Sequence, residues 1–516
     1  MTPTGDLLYR ATQRYGNRVA ARQNDRALTY AALGNRAARF ANALQGLGIK
    51  PGDPVAAMLD DRLENIEVYL GCALAGAVLV PVNARFKSGE VTHVLADSAA
   101  RAVVYAAPLA PAVAGVDGIG SVGPLIGIGN GEHLNGAHGY EDVLVRAASA
   151  PPDAQRAPED IAVIGYTSGT TGAPKGAQCS HRAIVNCTRL QAMVQSMATY
   201  GVAAFAGSFS FTSALWGVLY PLLYTGSTLR LLEASDLDKW FTLMAEDGTT
   251  YTWLPSPLAR AFTAKIARSP KVLSDLQTIV HTGSKVPRDY LAELADVVGD
   301  RLIETWGMTE SVGPLTAMTR PDLRGLSGAE DLLSSVGRPV PGAAIAVLDE
   351  NGRPAPDGRT GELGAKSDTM FSGYLNQPKA NAESFSDGWF RTGDVGRIDS
   401  GGYVYITDRC KDVIVSGGMN VYPSEIELVL LRLPGVREVS VLGVPDDHWG
   451  ETVAAAVVRQ PGADLAPTAV VDHVRSNMAG YKKPTRVLFV DELPRNAAMK
   501  VQKNLLRPRF GPETTV

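Results

Sequence analysis

A glycine- and threonine-rich segment that ends in a lysine carries the most specific chemistry in the sequence. It reads TSGTTGAPKG, residues 167–176, and directly follows an apolar run, residues 161–166. Glycines allow a close backbone approach, small hydroxyls and amides donate hydrogen bonds, and Lys175 adds a positive charge. Walker A spacing is absent, and Pro174 removes an N–H donor. The segment predicts a polyphosphate-binding loop, with a flexible turn as the alternative.

Three further motifs carry side chains that suit nucleotide chemistry. TWGMTE, residues 305–310, combines an indole that offers a stacking face with a carboxylate that suits a hard cation such as Mg²⁺. FRTGD, residues 390–394, ends in a carboxylate, which can accept two hydrogen bonds from a vicinal diol. LPRNAAMK, residues 493–500, ends in an ammonium group. Taken singly, such residues are more often core, turn or surface positions.

The composition limits the class of protein. The 516 residues are too many for one hydrophobic core, which predicts at least two domains. A formal charge of -4 without a long basic run argues against nucleic acid and anionic membranes as partners. No secretory signal is predicted at the N-terminus. The cysteines lack zinc spacing and predict buried, reduced thiols in a cytoplasmic protein. They are Cys72, Cys179, Cys187 and Cys410.

Alternating β-rich and helical patterns must position these motifs. Thr29 is predicted to cap an amphipathic helix. The most apolar stretch, residues 69–82, is shorter than the roughly 20 residues of a membrane span, so it predicts a buried helix and strand, without integral membrane association. Alternation of strands with helices predicts helix-covered parallel sheets. The predicted strands are residues 54–59, 78–82, 102–105, 161–167, 228–232 and 277–281, and residues 106–139 are predicted to be loop.

The pattern changes twice in the last third of the chain. From about Val336, short strands alternate with Gly, Pro and Asp turns, which predicts a β-rich subdomain. After about Asp408 the remaining residues are numerous enough for a separate α+β domain. In that domain the predicted helices are residues 423–433 and 466–478, and the predicted strands are residues 438–444 and 452–459.

The motifs and their order resemble those of the adenylate-forming superfamily of acyl-CoA synthetases, peptide-synthetase adenylation domains and beetle luciferases. At least six motifs occur in family order over nearly the whole chain. The resemblance implies an α/β fold with a large N-terminal adenylation domain, residues 1–409, of two helix-covered sheets and a β-rich subdomain. A small mobile α+β domain, residues 410–516, follows. It also implies an acyl-CoA ligase that uses ATP, Mg²⁺ and coenzyme A.

The resemblance assigns roles to individual residues. The implied catalytic residues are Lys175, Thr309, Glu310 and Lys500, and the implied contacts of Mg²⁺ are Thr167 and Glu310. Trp306 would stack on adenine, Asp394 would hold both ribose hydroxyls, and Lys500 would bridge the carboxylate and the α-phosphate. The implied ATP- and AMP-binding residues are Thr167, Ser168, Gly169, Thr170, Thr171, Gly172, Lys175, Gly283, Ser284, Thr305, Trp306, Gly307, Met308, Thr309, Asp394, Arg409 and Lys500.

The second half-reaction involves a different set of residues. Lys411 matches the family's hinge position, and Gly417 and Gly418 match the glycine turn that lines the tunnel for coenzyme A. The implied reaction first forms an acyl-AMP, after which the C-terminal domain rotates about Lys411 and the thiol of coenzyme A attacks. Met499 stands where the family usually has glycine, so we expect the loop before Lys500 to lack a positive-φ position.

The acyl pocket is predicted from SFSFTSALWG, residues 208–217. This stretch aligns with a family segment that often reads Pro-Leu-Phe-His, which puts Phe211 at the histidine position. The predicted pocket residues are Phe211, Ser213, Trp253 and Met308. Because the stretch has no basic residue to pair with a second carboxylate, we expect a hydrophobic monocarboxylic acid: aryl, medium-chain or polycyclic.

Three other functions stay open at the level of the sequence. One is an adenylating enzyme that serves a carrier protein, and another is a luciferase-like oxidative activity. The third is a sensor that binds nucleotide or acyl-adenylate without ligase activity, which the altered residue at Met499 would support. The expected partners are the small-molecule acid, ATP and coenzyme A, and a homodimer is a candidate assembly.

Overall fold

The computed structural model of the chain describes residues 1–167, 174–232, 236–283, 288–324, 332–355, 358–446, 448–497 and 499–516. These residues divide into two units. The first is formed by Met1–Thr167, the described part of residues 174–344, and Lys366–Glu383. The second is formed by Ile345–Ala365 and Ser384–Val516. The predicted domain boundary between residues 409 and 410 stays a prediction.

Two sheets form the frame of the first unit. In chain order its described strands are β1 (Val19–Gln23), β2 (Arg26–Thr29), β3 (Pro54–Met58), β4 (Val78–Pro81), β5 (Ala102–Ala106), β6 (Leu125–Ile128), β7 (His138–Gly139), β8 (Ile161–Thr167), β9 (Lys175–Ser180), β10 (Val202–Phe205), β11 (Thr228–Leu231), β12 (Tyr251–Pro255), β13 (Thr278–Thr282), β14 (Leu302–Met308), β15 (Gly313–Met318) and β16 (Arg338–Pro339). One sheet has the order β7-β6-β5-β3-β4-β8-β9 and the other β16-β15-β14-β13-β12-β10-β11-β1-β2.

Helices follow most of these strands. They are α1 (Pro3–Tyr15), α2 (Tyr30–Gly46), α3 (Leu63–Ala75), α4 (Ser88–Asp97), α5 (Ala110–Ala114), α6 (Tyr140–Arg146), α7 (His181–Val194), α8 (Tyr220–Thr225), α9 (Leu237–Asp247), α10 (Ala259–Ile266), α11 (Pro270–Asp275), α12 (Arg288–Val298), α13 (Arg320–Arg324) and α14 (Pro378–Ser384). The central strands of both sheets pair in parallel. Short apolar strands buried on both faces are typical of such sheets. The predicted α/β fold with helix-covered parallel sheets is confirmed.

Several local predictions hold within one or two residues. Thr29 caps α2, and its side chain accepts a hydrogen bond from the Ala32 amide. The apolar stretch from Tyr69 lies in the buried helix α3 and the buried strand β4. Among the described residues, every helix is too short or too polar to span a lipid bilayer.

Two expectations of the sequence are wrong. The segment 106–139 contains β6, which pairs in parallel with β5 inside the seven-stranded sheet. Its four residues, LIGI, include a glycine and have no alternation, so the pattern alone reads as loop. Cys410 is exposed, whereas Cys72, Cys179 and Cys187 are buried as expected.

The second unit is rich in β-structure, as predicted. Its described elements are β17 (Ala343–Leu348), β18 (Gly361–Ser367), β19 (Phe385–Ser386), β20 (Trp389–Ile398), β21 (Val404–Arg409), β22 (Ile414–Ser416), β23 (Met419–Val421), α15 (Pro423–Leu430), β24 (Val436–Asp446), β25 (Gly450–Arg459), α16 (Pro467–Asn477), β26 (Arg486–Phe489) and α17 (Lys503–Leu506). Strands β17–β21 form one sheet and β22–β26 another.

Side-chain alternation along β25 explains how the second sheet is covered. Val453, Ala455 and Val457 pack with apolar residues of α15 and α16. Ala454 and Ala456 pack on the other face with residues of the C-terminal segment around α17. Successive strand residues point to opposite faces, so the apolar run of residues 453–458 in β25 contributes to two cores.

Candidate nucleotide and acyl site

A hairpin holds both ends of the predicted phosphate-binding loop. Strands β8 and β9 are antiparallel, and Thr167 is paired with Lys175 in their register. The Thr167 hydroxyl donates to the Lys175 carbonyl oxygen at 3.4 Å, and Lys175 is exposed. The hairpin therefore fixes the base of the loop and leaves the Lys175 ammonium available. The predicted loop residues Ser168, Gly169, Thr170, Thr171 and Gly172 lie outside the described residues.

The predicted adenine-binding element occupies the end of β14. Thr305 and Trp306 are buried there, and Met308 is half-buried. Gly307 is needed for the pairing of β14 with β15, because a Cβ atom added to it would lie 2.2 Å from the Gly313 carbonyl oxygen. Stacking of adenine on Trp306 stays a prediction.

Thr309 lies close to β8, the strand that leads into the predicted phosphate-binding loop. It follows β14 directly, and a Cβ atom added to Gly165 of β8 would lie 3.0 Å from Thr309 Cγ2 and 2.7 Å from Thr212 Cγ2. Because β14 and β8 belong to different sheets, this contact lies where the two sheets of the first unit meet. The glycine leaves space for both threonine methyl groups.

Tyr374 connects Lys175 with Glu310. Its hydroxyl donates to Glu310 Oε1 at 2.7 Å, and Lys175 Nζ lies 5.1 Å from the centroid of its ring. The segment around Tyr374 pairs with β9 through an isolated bridge to Ala177, and the Phe371 amide donates to the Glu310 carbonyl oxygen. Sequence reasoning missed this residue, because a tyrosine after a glycine is only a weak signal.

The donor set here fits a Mg²⁺ ion that is held mainly by phosphate oxygens. Among the described residues, no group of three or more His, Cys, Asp or Glu side chains is arranged to hold a metal ion. Mg²⁺ usually keeps several waters and binds through one or two carboxylates together with substrate phosphates. One half-buried carboxylate, Glu310, and the Thr167 hydroxyl match that requirement.

His281, near the carboxyl end of β13, contacts Glu304 of β14 and Ser256, which directly follows β12. His281 Nδ1 lies 2.5 Å from Glu304 Oε2, and its Nε2 lies 2.9 Å from Ser256 Oγ. Ligand sites in parallel sheets lie at the carboxyl ends of the strands. Gly283 follows with a φ of +98°, which favours glycine. The predicted residue Ser284 lies outside the described residues.

The predicted acyl-pocket residues differ in exposure. Phe211 is 38% exposed and Ser213 is also exposed, whereas Trp253 and Met308 are half-buried. The Trp253 ring stacks on Phe205, with centroids 5.7 Å apart and planes inclined by 27°. Trp253 thus belongs to an aromatic cluster, and the membership of these residues in one acyl pocket stays a prediction.

Asp61 fixes the segment that leads to Phe211. Its Oδ1 atom accepts hydrogen bonds from Ser208 Oγ at 3.0 Å and from the Phe209 amide at 2.8 Å. The Tyr69 hydroxyl donates to the Phe209 carbonyl oxygen at 2.8 Å. Burial raises the pKa of Asp61. Sequence reasoning also missed this anchor, which lies far from Phe211 along the chain.

In the second unit, Asp394 and Arg409 form an ion pair. Asp394 Oδ1 lies 2.7 Å from Arg409 Nε, and the two residues are paired across β20 and β21. Asp394 is 3% exposed. The antiparallel register therefore brings together two residues that the sequence assigned to ribose binding, and that role stays a prediction.

Positive charges gather around the predicted hinge. Partial burial of its ammonium lowers the pKa of Lys411, and the positive charges of Arg409, Lys500 and Lys503 lower it further, although Asp412 opposes them. Lys411 lies in a short 3₁₀ turn, Cys410–Asp412, after β21. The hinge role stays a prediction.

The glycine turn after β22 is closed by a tryptophan. Gly417 and Gly418 have φ values of +56° and +80°. The Gly417 amide donates to the Trp449 carbonyl oxygen at 2.9 Å, and a Cβ atom on Gly417 would lie 2.7 Å from Trp449 Cε3. A side chain at position 417 would collide with Trp449, so the turn requires glycine there. Its contact with coenzyme A stays a prediction.

The loop before Lys500 corrects one expectation. Met499 adopts a φ of +63°, so the loop does take the left-handed conformation without glycine. Asn496 stabilises it, because its side chain accepts from the Lys500 amide at 3.0 Å and its amide donates to the Lys500 carbonyl oxygen at 2.9 Å. The Arg495 guanidinium donates to the Met499 carbonyl oxygen at 2.8 Å.

The two sheets of the first unit, the hairpin β8–β9 on either side of residues 168–173, and a second unit with its own sheets are the features expected of an adenylate-forming α/β enzyme. The chain belongs to the family of AMP-binding enzymes: residues 8–375 match that family, and residues 425–500 match the AMP-binding enzyme C-terminal domain.

Relatives match this chain over nearly its whole length. It is similar to a feruloyl-CoA synthase of Amycolatopsis sp, with 34% identity over 96% of both chains. It is also similar to a long-chain-fatty-acid–CoA ligase of Mycobacterium tuberculosis, with 33% identity over 94% of this chain and 93% of the relative. The crystal structure of ATP-bound MatB from Rhodopseudomonas palustris has a TM-score of 0.86 and 31% identity, and the match covers 99% of both chains.

Proposed function

We propose that this AMP-binding enzyme is an ATP-dependent ligase that joins a hydrophobic monocarboxylic acid to coenzyme A. The observation that carries the proposal is the Lys175–Tyr374–Glu310 linkage at the base of the phosphate loop. It brings a cation and a carboxylate to one aromatic side chain, and both groups suit the binding of a magnesium-bound polyphosphate. Relatives that match over nearly the whole chain are CoA ligases by name.

In the first half-reaction, the acid's carboxylate oxygen attacks the α-phosphorus of ATP, and pyrophosphate leaves with the electrons of the broken P–O bond. Lys175 neutralises the outer phosphates, Thr309 donates to the α-phosphate, and Lys500 stabilises the charge between the two reactants. Mg²⁺, held by Glu310 and the Thr167 hydroxyl, would supply further charge neutralisation. Positioning and electrostatics provide the catalysis, so no covalent enzyme intermediate is needed.

In the second half-reaction, the thiol sulfur of coenzyme A attacks the acyl carbon. The C–S bond forms, the bond between the acyl carbon and the phosphate oxygen breaks, AMP leaves, and the thiol proton passes to solvent. We assign residues 1–409 to the adenylation domain and residues 410–516 to a domain that rotates about Lys411. That rotation would move Lys500 out of the active site and bring the turn at Gly417 and Gly418 into it.

The choice of acid follows from the chemistry of the residues near Phe211. The stretch of residues 208–217 has no basic side chain that could pair with a second carboxylate. Phe209 of this stretch forms an apolar aromatic cluster with Phe205 and Trp253. These features favour a monocarboxylic acid with a hydrophobic body. A cytoplasmic location and a homodimeric assembly stay predictions.

The test is a panel of aryl, medium-chain and polycyclic acids, incubated with the full chain, ATP, Mg²⁺ and coenzyme A. Mass spectrometry detects the acyl-CoA, and AMP is measured in the same samples. We expect at least one acid to give the thioester together with AMP. Thioester formation only on a phosphopantetheinylated carrier protein would instead indicate an enzyme that serves a carrier protein.

Two further outcomes would indicate a different function. Light emission in the presence of oxygen would indicate a luciferase-like activity. Tight binding of an acyl-AMP mimic without turnover of any acid would indicate a sensor. The altered residue at Met499 no longer supports the sensor, because the loop adopts the positive φ that a glycine would have provided.

A further inference from the structure

A buried polar pair connects two neighbouring parallel strands of the first unit near their carboxyl ends. His281 of β13 and Glu304 of β14 are partners in the strand register, and His281 Nδ1 lies 2.5 Å from Glu304 Oε2. A carboxylate only accepts hydrogen bonds, so the imidazole Nδ1 is the donor. His281 is fully buried and Glu304 is also buried, so neither side chain is available to a substrate. Any effect of this pair on the site therefore passes through the residues that follow it in the chain.

A second link between the same strands lies one residue further along. Thr282 and Thr305 are also partners in the register, and the Thr282 hydroxyl donates to the Thr305 carbonyl oxygen at 3.1 Å. The next residues of the two segments are Gly283 and Trp306, which the family resemblance assigns to nucleotide binding. Two consecutive side-chain contacts thus fix β13 and β14 relative to each other immediately before these predicted nucleotide-binding residues.

The other ring nitrogen of His281 contacts a different element. Nε2 lies 2.9 Å from Ser256 Oγ, and Ser256 directly follows β12 and is half-buried. The contact with Glu304 and the contact with Ser256 can be removed separately by substitution. Asparagine at position 281 would place an amide donor near the position of Nδ1, whereas glutamine would place one near the position of Nε2.

We propose that His281 is a positioning residue for ATP, which acts through its hydrogen bond to Glu304 by holding Gly283 and Trp306 at the separation that the nucleotide requires. This inference rests on the proposed function, which puts those two residues in the nucleotide site. Residues that bind a ligand must be held in place by packing and by hydrogen bonds behind them, and a small misplacement weakens their action. A role in stability alone would instead change the thermal stability and leave the ATP affinity of the folded protein unchanged.

Equilibrium binding of ATP with Mg²⁺, without acid or coenzyme A, tests this inference without turnover. Calorimetry measures the Kd for the full-length wild type, His281→Asn, His281→Gln and the double variant His281→Leu/Glu304→Met. The double variant removes both polar groups together, so it leaves no buried carboxylate without its partner. The matched control is His181→Gln, at another buried histidine of the first unit. Thermal unfolding shows that each variant is folded.

We expect His281→Gln and the double variant to bind ATP about tenfold more weakly than the wild type, because both lose the directed hydrogen bond between the strands. His281→Asn should stay within about twofold of the wild type, since its amide can still donate to Glu304. His181→Gln should bind ATP as the wild type does. Unchanged affinity in His281→Gln or in the double variant, or equal losses in His281→Asn and His281→Gln, would overturn the inference.

The result can be separated from the fate of the ligase function, which is assayed in the same preparations with acids and coenzyme A. The expected pattern of ATP affinities without thioester from any acid would support the inference and contradict only the ligase function. Thioester formation with unchanged ATP affinity in every variant would support the ligase function and overturn the inference. A wild type that does not bind ATP would contradict both.

Discussion

The Tyr374 hydroxyl donates a 2.7 Å hydrogen bond to the Glu310 carboxylate, although the two residues are 64 positions apart in the chain. The same ring lies against the Lys175 ammonium. One tyrosine therefore holds the predicted magnesium ligand and the predicted phosphate-binding cation in fixed positions. Neither role of Tyr374 requires contact with the substrate, so it is a positioning residue.

Tyr374→Phe should raise the Mg²⁺ concentration needed for half-maximal adenylation and lower kcat/KM for ATP by about tenfold or more. The physical reason is the loss of a hydrogen bond to a charged group, which is worth roughly 1.5–3 kcal/mol. Initial rates of pyrophosphate release, measured over a range of Mg²⁺ concentrations, provide the check. Tyr224→Phe, at an exposed tyrosine of the same unit, is the control. An unchanged Mg²⁺ dependence in Tyr374→Phe would rule out the positioning role.

Asp394→Asn should weaken the enzyme's discrimination between ATP and 2′-deoxy-ATP. A carboxylate accepts hydrogen bonds from both ribose hydroxyls, whereas an amide offers one acceptor oxygen. We expect the wild type to prefer ATP by about tenfold and the variant to approach equal use of both nucleotides. The ratio of the two kcat/KM values is measured, with Asp472→Asn as a surface control. Retention of the wild-type ratio would show that Asp394 does not bind the ribose.

Two substitutions of Met499 should have opposite effects. Its φ of +63° costs an L-residue roughly 1–2 kcal/mol, a cost that glycine avoids. A β-branched residue fits this conformation worse than methionine does. Met499→Gly should therefore keep or slightly raise the thermal stability and the adenylation rate, and Met499→Val should lower both. Equal behaviour of the two variants would contradict the left-handed geometry of the loop.

His181 should make the first unit sensitive to acid. Burial, with a smaller contribution from the positive charge of Arg156, lowers the pKa of His181 from 6.5 to about 4, and Thr4 Oγ1 lies 2.8 Å from its Nδ1. Above pH 6.5 the imidazole is neutral in the folded and the unfolded chain. Between pH 6.5 and about pH 4, the two pKa values of His181, the unfolded chain binds a proton that the folded chain does not. The free energy of unfolding therefore decreases as the pH falls through this range.

His181→Gln should remove part of this acid sensitivity. Integrated down to pH 4, the histidine accounts for at most roughly 3 kcal/mol. The check compares the fall in apparent Tm between pH 7 and pH 5 for the wild type and the variant, with His473→Gln in the second unit as the control. If the fall in Tm is the same in the wild type and in His181→Gln, His181 is not a source of the acid sensitivity.

Local sequence patterns predicted most of the fold because they act over short distances. The strand predicted at residues 161–167 coincides with β8, and the helix predicted at residues 466–478 differs from α16 by one residue at each end. Apolar runs and caps determine such elements without reference to the rest of the chain. β6 was missed because a four-residue strand with a glycine has no distinctive pattern.

The unpredicted parts of the site depend on contacts between distant segments. Asp61 accepts a hydrogen bond from the Phe209 amide, and Tyr374 donates one to Glu310. The tertiary fold brings these residues together, and local sequence patterns do not specify it. The motif residues themselves could be named from the resemblance, since each motif is contiguous. Met499 is a case in which the sequence-based prediction was wrong. Methionine rarely adopts a positive φ, but the hydrogen bonds of Asn496 and Arg495 hold the loop in that conformation.

The central claim is that the chain forms an acyl-AMP and that Lys500 assists this step. It is tested most directly by the exchange of labelled pyrophosphate into ATP in the presence and absence of a carboxylic acid substrate, measured for the wild type and for Lys500→Ala. This exchange requires reversible formation of an acyl-AMP and does not require coenzyme A. We expect the wild type to exchange label only when a suitable acid is present, and Lys500→Ala to be slower by roughly 10²–10³ while remaining folded. Exchange that does not depend on any acid, or equal rates in the two proteins, would contradict the account.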